Sequence, residues 1–296
     1  MKNLVIILLI TLFSVQLNAQ QDPQYTQYMY NMNIINPAYT GTTEGLAVGA
    51  LYRSQWVGLD GGPETFTFNI HSPVGKQVGL GLSVISDQIG PVNETNAYVD
   101  FSYTIPVGNT TKLAFGLKAG LNSYDIDFNK LNIYDLTDPY IGYVENNKYQ
   151  PQIGVGIFYN TQNYYLGISA PNLLQKQYFD LVDSESSFFS TFSKQIHLYI
   201  IGGYVFDLHP SLKFKPATLV KAVKGSPVQW DISFNFIINN NFTFGVANRI
   251  SSAFTTMAGI QLSDSMMIGF SYDFSTTEIR KTTSGSFEVL FRFDFG

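Results

Sequence analysis

Ser286-Phe287-Glu288-Val289-Leu290-Phe291-Arg292-Phe293-Asp294-Phe295 alternates with a period of two. Phe287, Val289, Phe291, Phe293 and Phe295 share one side, and Glu288, Leu290, Arg292 and Asp294 share the other. Successive side chains of a strand point to opposite faces, so this segment has one apolar face and one mixed, largely polar face. The same division recurs upstream. Val228, Trp230, Ile232, Phe234 and Phe236 oppose Gln229, Asp231, Ser233 and Asn235. Leu113, Phe115, Leu117, Ala119 and Leu121 oppose Lys112, Gly116, Lys118 and Gly120. Met266, Ile268, Phe270, Tyr272 and Phe274 oppose Met267, Gly269, Ser271 and Asp273.

About fourteen such segments fill the chain from residue 44 onward, and no long segment has helical periodicity. Their predicted spans are 44–53, 63–71, 77–86, 94–105, 111–124, 150–160, 163–170, 194–206, 211–223, 227–238, 241–250, 253–262, 265–275 and 285–295. Even-numbered segments are followed by short links, such as Ser72 to Lys76, Asp207 to Pro210 and Asn239-Asn240. The two longest connections, Asp125 to Tyr149 and Pro171 to Ser193, both fall on the other side. Outer-membrane barrels have an even strand count, short periplasmic turns and longer extracellular loops. The expectation is therefore an all-β fold: a transmembrane antiparallel β-barrel of about 14 strands over residues 44–296. A soluble β-sandwich also alternates. Aromatic-rich apolar faces, the loop asymmetry and the phenylalanine-packed last strand favour the barrel.

Composition agrees with one face in lipid. Charged residues make up 13% and aromatic residues 15%, against roughly 25% charged in soluble domains. Lys2 precedes an apolar run from Leu4 to Val15 that is too short to span a membrane, and Ala19 offers a cleavage position. Residues 1–19 are thus predicted to be a signal peptide, residues 20–43 an N-terminal periplasmic or plug segment, and both termini periplasmic. With no cysteine, neither an N-terminal lipid anchor nor a disulfide framework is available. The net charge of -5 argues against nucleic acid as a partner.

No constellation of residues points to catalysis, a cofactor or a metal. His71, His197 and His209 are scattered, and His209 lies in a predicted turn. His71 and Ser72 are adjacent, so in a strand they face opposite ways. Gly79-Leu80-Gly81 lacks the following helix that a phosphate loop needs, and reads as a place of bends and close approach inside a barrel. The polar face carries Asp100, Lys112, Lys118, Asp231, Arg249, Asp273, Glu288, Arg292 and Asp294. Interspersed signs suit mutual pairing better than a single-sign ion filter. If Asn239-Asn240-Asn241 forms the turn, inward Asp231 falls opposite inward Arg249 as a lumen ion pair.

The stretch Gln21-Asp22-Pro23-Gln24-Tyr25-Thr26-Gln27-Tyr28-Met29-Tyr30-Asn31-Met32-Asn33-Ile34-Ile35-Asn36-Pro37-Ala38-Tyr39-Thr40-Gly41 has no sustained alternation. With Tyr52-Arg53-Ser54-Gln55-Trp56, Gly62-Pro63-Glu64-Thr65 and Asp87-Gln88-Ile89-Gly90-Pro91, it resembles the PorP/SprF family of type IX secretion membrane proteins of Bacteroidetes. The resemblance implies a non-enzymatic outer-membrane role in the export or surface attachment of adhesins and other cargo with C-terminal sorting domains, sometimes linked to gliding. It also implies periplasmic and lipoprotein partners from the secretion machinery. Tyr25, Gln27, Tyr28, Tyr30, Asn36, Pro37, Arg53, Gln55 and Trp56 are the candidate partner-binding residues. For the tyrosines, packing as a tether under the barrel is the competing reading, and Trp56 also suits an aromatic girdle at the membrane interface. The alternative function is an outer-membrane channel for small or hydrophobic solutes.

Overall fold

Alternating residues with one apolar face must bury every backbone N–H and C=O between strands if that face is to meet lipid, and a closed barrel is the solution. The computed structural model describes residues 23–127, 130, 148–174, 176–180 and 191–296. Its strands are β1 (Leu46–Ser54), β2 (Glu64–Val74), β3 (Val78–Ile89), β4 (Val92–Pro106), β5 (Lys112–Ile126) and β6 (Lys148–Asn160). They continue as β7 (Tyr164–Ala170), β8 (Lys176–Asp180), β9 (Thr191–Lys194), β10 (His197–Tyr204), β11 (Phe206–His209) and β12 (Leu212–Val223). The last five are β13 (Gln229–Ile238), β14 (Phe242–Arg249), β15 (Ala253–Ser263), β16 (Met266–Ser275) and β17 (Ser286–Phe295).

Each wall strand pairs antiparallel with its sequence neighbour, β10 pairs with both β7 and β12, and β1 pairs with β17. The ring is thus a closed barrel of fourteen strands with β11 as an extra piece. The predicted single strand 194–206 is in fact split. β10 ends at Tyr204 and β11 resumes at Phe206, because the Val205 amide turns aside to Asn163. Likewise, the connection from Pro171 to Ser193 holds a two-stranded sheet of β8 and β9, outside the barrel ladder. Most of the connection from Asp125 to Tyr149 lies outside the described residues.

The long connections are not uniformly long. β3 and β4 extend beyond their predicted ends and meet across Gly90 and Pro91, with Gly90 at φ +56°. At the opposite end Asn239 and Asn240, at φ 51° and 57°, form a tight hairpin turn whose twist matches the strands. The barrel thus has a short-turn end and a long-connection end.

The outward face is apolar all round. Phe66, Leu82, Val99, Leu117, Ile157, Leu166, Phe236, Phe244, Phe270 and Phe291 are each exposed, with no protein partner covering them. A continuous apolar surface of this extent is a membrane contact. Near the short-turn end, Tyr164 stacks on Tyr204 and Phe206 on Phe214, while Tyr204 packs tilted against Phe206 and Phe214 against Phe236, an aromatic girdle. Many inward positions are polar, with Thr67, Asn69, Asp100, Lys118, Asn122, Ser233, Asn235 and Ser271 all buried, and a smaller set, including Leu51, Phe158 and Ile201, is apolar.

Closure leaves no free edge, so the barrel is expected to resist SDS until heated and then to migrate more slowly on a gel. Identical migration before and after boiling would contradict the closed ring.

Candidate functional site: a plug fastened inside the lumen

Residues 23–45 form no wall strand. Side chains that cannot pack into a period-two ladder have collapsed into the lumen, and Tyr25 through Met29, Asn31 through Ala38, and Thr40 are buried there. Short helical turns at Tyr28–Tyr30 and Pro37–Tyr39 flank the single-turn helix α1 (Met32–Ile35). Asn36 caps the second 3-10 turn by accepting the Ala38 N–H at 2.9 Å. Tyr25, Tyr28, Met29, Met32, Ile34 and Ile35 pack with wall residues Leu51, Phe158, Ile201, Leu219 and Leu290 into one apolar core. Leu290 is the one large apolar residue on the polar face of the final strand, and it is fully buried against this segment.

The segment is fastened at three levels. Near the long-connection end, Glu288 accepts the backbone N–H groups of Thr26 and Gln27 at 3.0 and 2.7 Å. Arg53 donates to Asp273 at 2.6 Å, to Glu288 at 3.2 Å and to the Thr26 hydroxyl at 3.0 Å. Halfway along, Asn31 donates to Thr67 at 2.9 Å and accepts from Asn69 at 2.6 Å. Asn33 donates to Asp100 at 3.3 Å, and Lys118, ion-paired to Asp100 at 3.0 Å, donates to the Asn33 carbonyl. Near the short-turn end, Ser102 donates to the Thr40 carbonyl and His71 accepts the Gly41 N–H at 3.2 Å. His71 therefore holds the chain as it leaves the lumen for β1.

Shape matches as closely as hydrogen bonding. A Cβ on Gly116 would lie 2.1 Å from the Ala38 nitrogen, and one on Gly156 would lie 2.0 Å from the Asn36 Oδ1. These wall positions admit no side chain while the plug is in place.

Burial changes the reading of the candidate partner-binding residues. Tyr25, Gln27, Tyr28, Asn36 and Pro37 are covered by the wall, whereas Tyr30 is only partly buried and lines a cavity at the short-turn end. In this structure they pack and hydrogen-bond the plug against the wall. Arg53 is 1% exposed and belongs to the same latch. Gln55 and Trp56 line a cavity at the long-connection end. Asp231 is registered with Arg249, which donates to it at 3.1 Å and approaches Asp273 at 3.7 Å. The other two histidines share no site: His197 is buried and His209 is exposed beside Ser211. Among the described residues no three metal-ligating side chains converge.

The path of the plug sets the two described ends of the chain at opposite ends of the barrel. Gly296 follows β17 at the short-turn end, but Pro23 and Gln24 lie at the long-connection end, beside Gln55, Trp56 and Ser275. The plug traverses the lumen before β1 begins. Below Pro23 and Gln24 at that end is a cavity of about 500 Å³. A second cavity, of about 390 Å³ and lined by Met29, Tyr30, Tyr39, Phe158, Tyr165 and Arg292, lies at the short-turn end. The two share no lining residue, and the plug stands between them.

The family described as type IX secretion system membrane protein PorP/SprF matches residues 17–293, a span that includes the plug, its latch and every wall strand but the last residues of β17. The chain belongs to the PorP/SprF family. No curated protein matches it. Among solved structures, the Ralstonia pickettii toluene transporter TbuX is similar at 10% identity and a TM-score of 0.52, covering 89% of this chain and 93% of its own. The Acinetobacter baumannii outer membrane protein Omp33 is similar at 9% identity and a TM-score of 0.50, covering 86% and 100%. At such identities the likeness shows the fold, an outer-membrane barrel. This PorP/SprF chain is accordingly a type IX secretion component of the outer membrane.

Proposed function

We propose that the chain acts as a plugged docking component, supporting the export or surface attachment of cargo with C-terminal sorting domains. The observation that carries this reading is the plug. It fills the lumen by shape and is latched by buried ion pairs, so the barrel presents two separate cavities, one at each end, instead of a bore. In this reading the short-turn end faces the periplasm, where periplasmic and lipoprotein components of the machinery engage it, and the long-connection end faces outward. The signal peptide over residues 1–19 lies outside the described residues and belongs to the proposal, as does the absence of enzymatic activity.

Complementation of a deletion strain tests it. The full chain should restore cargo export, whereas a chain lacking Gln24 to Asn33 but keeping residues 1–23 should assemble and fail to export. Unchanged export from that variant would make the plug dispensable and remove the basis of the proposal. The second reading, a solute channel, is favoured by the two cavities on either side of the plug and by a fold shared with a protein described as a toluene transporter. It requires the plug to move aside, and steady solute uptake by the unmodified protein in liposomes would support it.

A further inference from the structure

The two cavities differ in how their cations are matched. At the long-connection end, Arg53 and Arg249 both have carboxylate partners. At the short-turn end, Arg292 is engaged by Asp294 through Nε at 2.7 Å and Nη2 at 3.0 Å. Its Nη1 and Nη2 also reach the Tyr30 carbonyl and the Tyr39 hydroxyl, at 3.4 and 3.5 Å. Asp294 is thus committed, and Arg292 with it. Lys215 lines the same cavity from β12, yet among the described residues no carboxylate comes within ion-pair distance of its ammonium. That ammonium rests 4.8 Å from the centre of the Tyr30 ring, on the plug. The other charged groups lining the cavity are Arg292 and Asp294, so the lining carries one excess positive charge.

An ammonium removed from bulk water costs free energy that a single ring face offsets only in part. It keeps three N–H donors, aimed into a space whose volume falls in the range of ligand sites. The walls around it, Met29, Tyr30, Tyr39, Phe158 and Tyr165, are apolar or aromatic. Its lining includes Thr161, Gln162 and Asn163, turn residues at the end of the barrel.

We propose that this cavity receives an acidic peptide segment, one carboxylate pairing with Lys215 while neighbouring apolar side chains rest on the aromatic wall. Entry at the lumen mouth favours a peptide over a membrane lipid. Because Tyr30 belongs to the plug, the incoming carboxylate engages the cation that now sits on the plug itself. The inference deepens the function proposed above and rests on it for the side from which the peptide arrives.

The test uses the full processed protein in nanodiscs and two hexapeptides, one alternating phenylalanine with glutamate and the other replacing each glutamate by glutamine. The acidic peptide should bind about tenfold more tightly than its amide counterpart. Lys215→Met should abolish that preference, Lys215→Arg should keep it, and raised salt should weaken it. Heat-modifiable migration of both variants verifies folding. Equal binding of the two peptides, an undiminished preference in Lys215→Met, or complete displacement by equimolar inorganic phosphate would overturn the proposal. Since binding is read on the isolated protein, a negative result removes the site alone, while the export assay separately decides the secretion role.

Discussion

Removing residues 24–39 is expected to convert a barrel that is silent in planar bilayers into one with large, steady openings. Eight strands close around a space that side chains fill, whereas sixteen to eighteen leave an aqueous channel. Fourteen strands lie between these cases, and here the extra room is taken by the plug. Tyr25, Tyr28, Met29, Met32, Ile34 and Ile35 supply much of the core that occupies it. Without them the lumen would expose Thr67, Asn69, Asp100, Lys118, Asn122 and Ser233 beside Leu51, Phe158, Ile201, Leu219 and Leu290, a mixed surface with enough polar groups for water to enter. Glycine at 116 and 156 would leave the bore wider still where Ala38 and Asn36 now lie. The wall ladder does not depend on the plug, since its hydrogen bonds run between strands. Assembly should therefore survive the deletion. A truncated protein that folds, shows heat-modifiable migration and stays silent would mean that wall side chains or loops close the lumen unaided.

What could be read in the sequence divides along physical lines. The barrel was legible because its signal is local: each strand carries its own alternation. The hairpin pair Asp231 and Arg249 was accessible for the same reason, since a tight turn at Asn239-Asn240 sets the register from eight residues away. Asp100 and Lys118 are opposite one another across the β4–β5 hairpin and were equally within reach of that argument. Arg53 opposite Glu288 was not, because the first and last strands meet only on closure and no turn sets their register. The plug was visible as a break in the alternation, but its location and direction were not. A signal for it was present in the inward glycines and in Leu290, an apolar residue on a polar face. Each marks a place where the wall meets something other than water.

The latch between Arg53, Asp273 and Glu288 is where a single substitution should do the most damage. Arg53→Met leaves Glu288, which is fully buried, with only the Thr26 and Gln27 N–H groups to hold its charge. Asp273 retains Arg249 at 3.7 Å and Thr255 at 2.7 Å, so the loss falls mainly on Glu288. Taking one partner from a buried pair costs about 3 to 5 kcal/mol, because the other charge remains desolvated. That cost falls on the plug's first turn, so the N-terminal limb should detach before the wall opens. Limited proteolysis near Gln24 to Tyr28 should become rapid in Arg53→Met while the heat-modification temperature falls only modestly. Glu288→Gln should restore much of the protection when added to Arg53→Met, since it removes the stranded charge while an amide oxygen can still accept from Thr26 and Gln27. A double variant cleaved faster than Arg53→Met alone would mean that the latch holds the plug through packing around the guanidinium, not through the balance of buried charge.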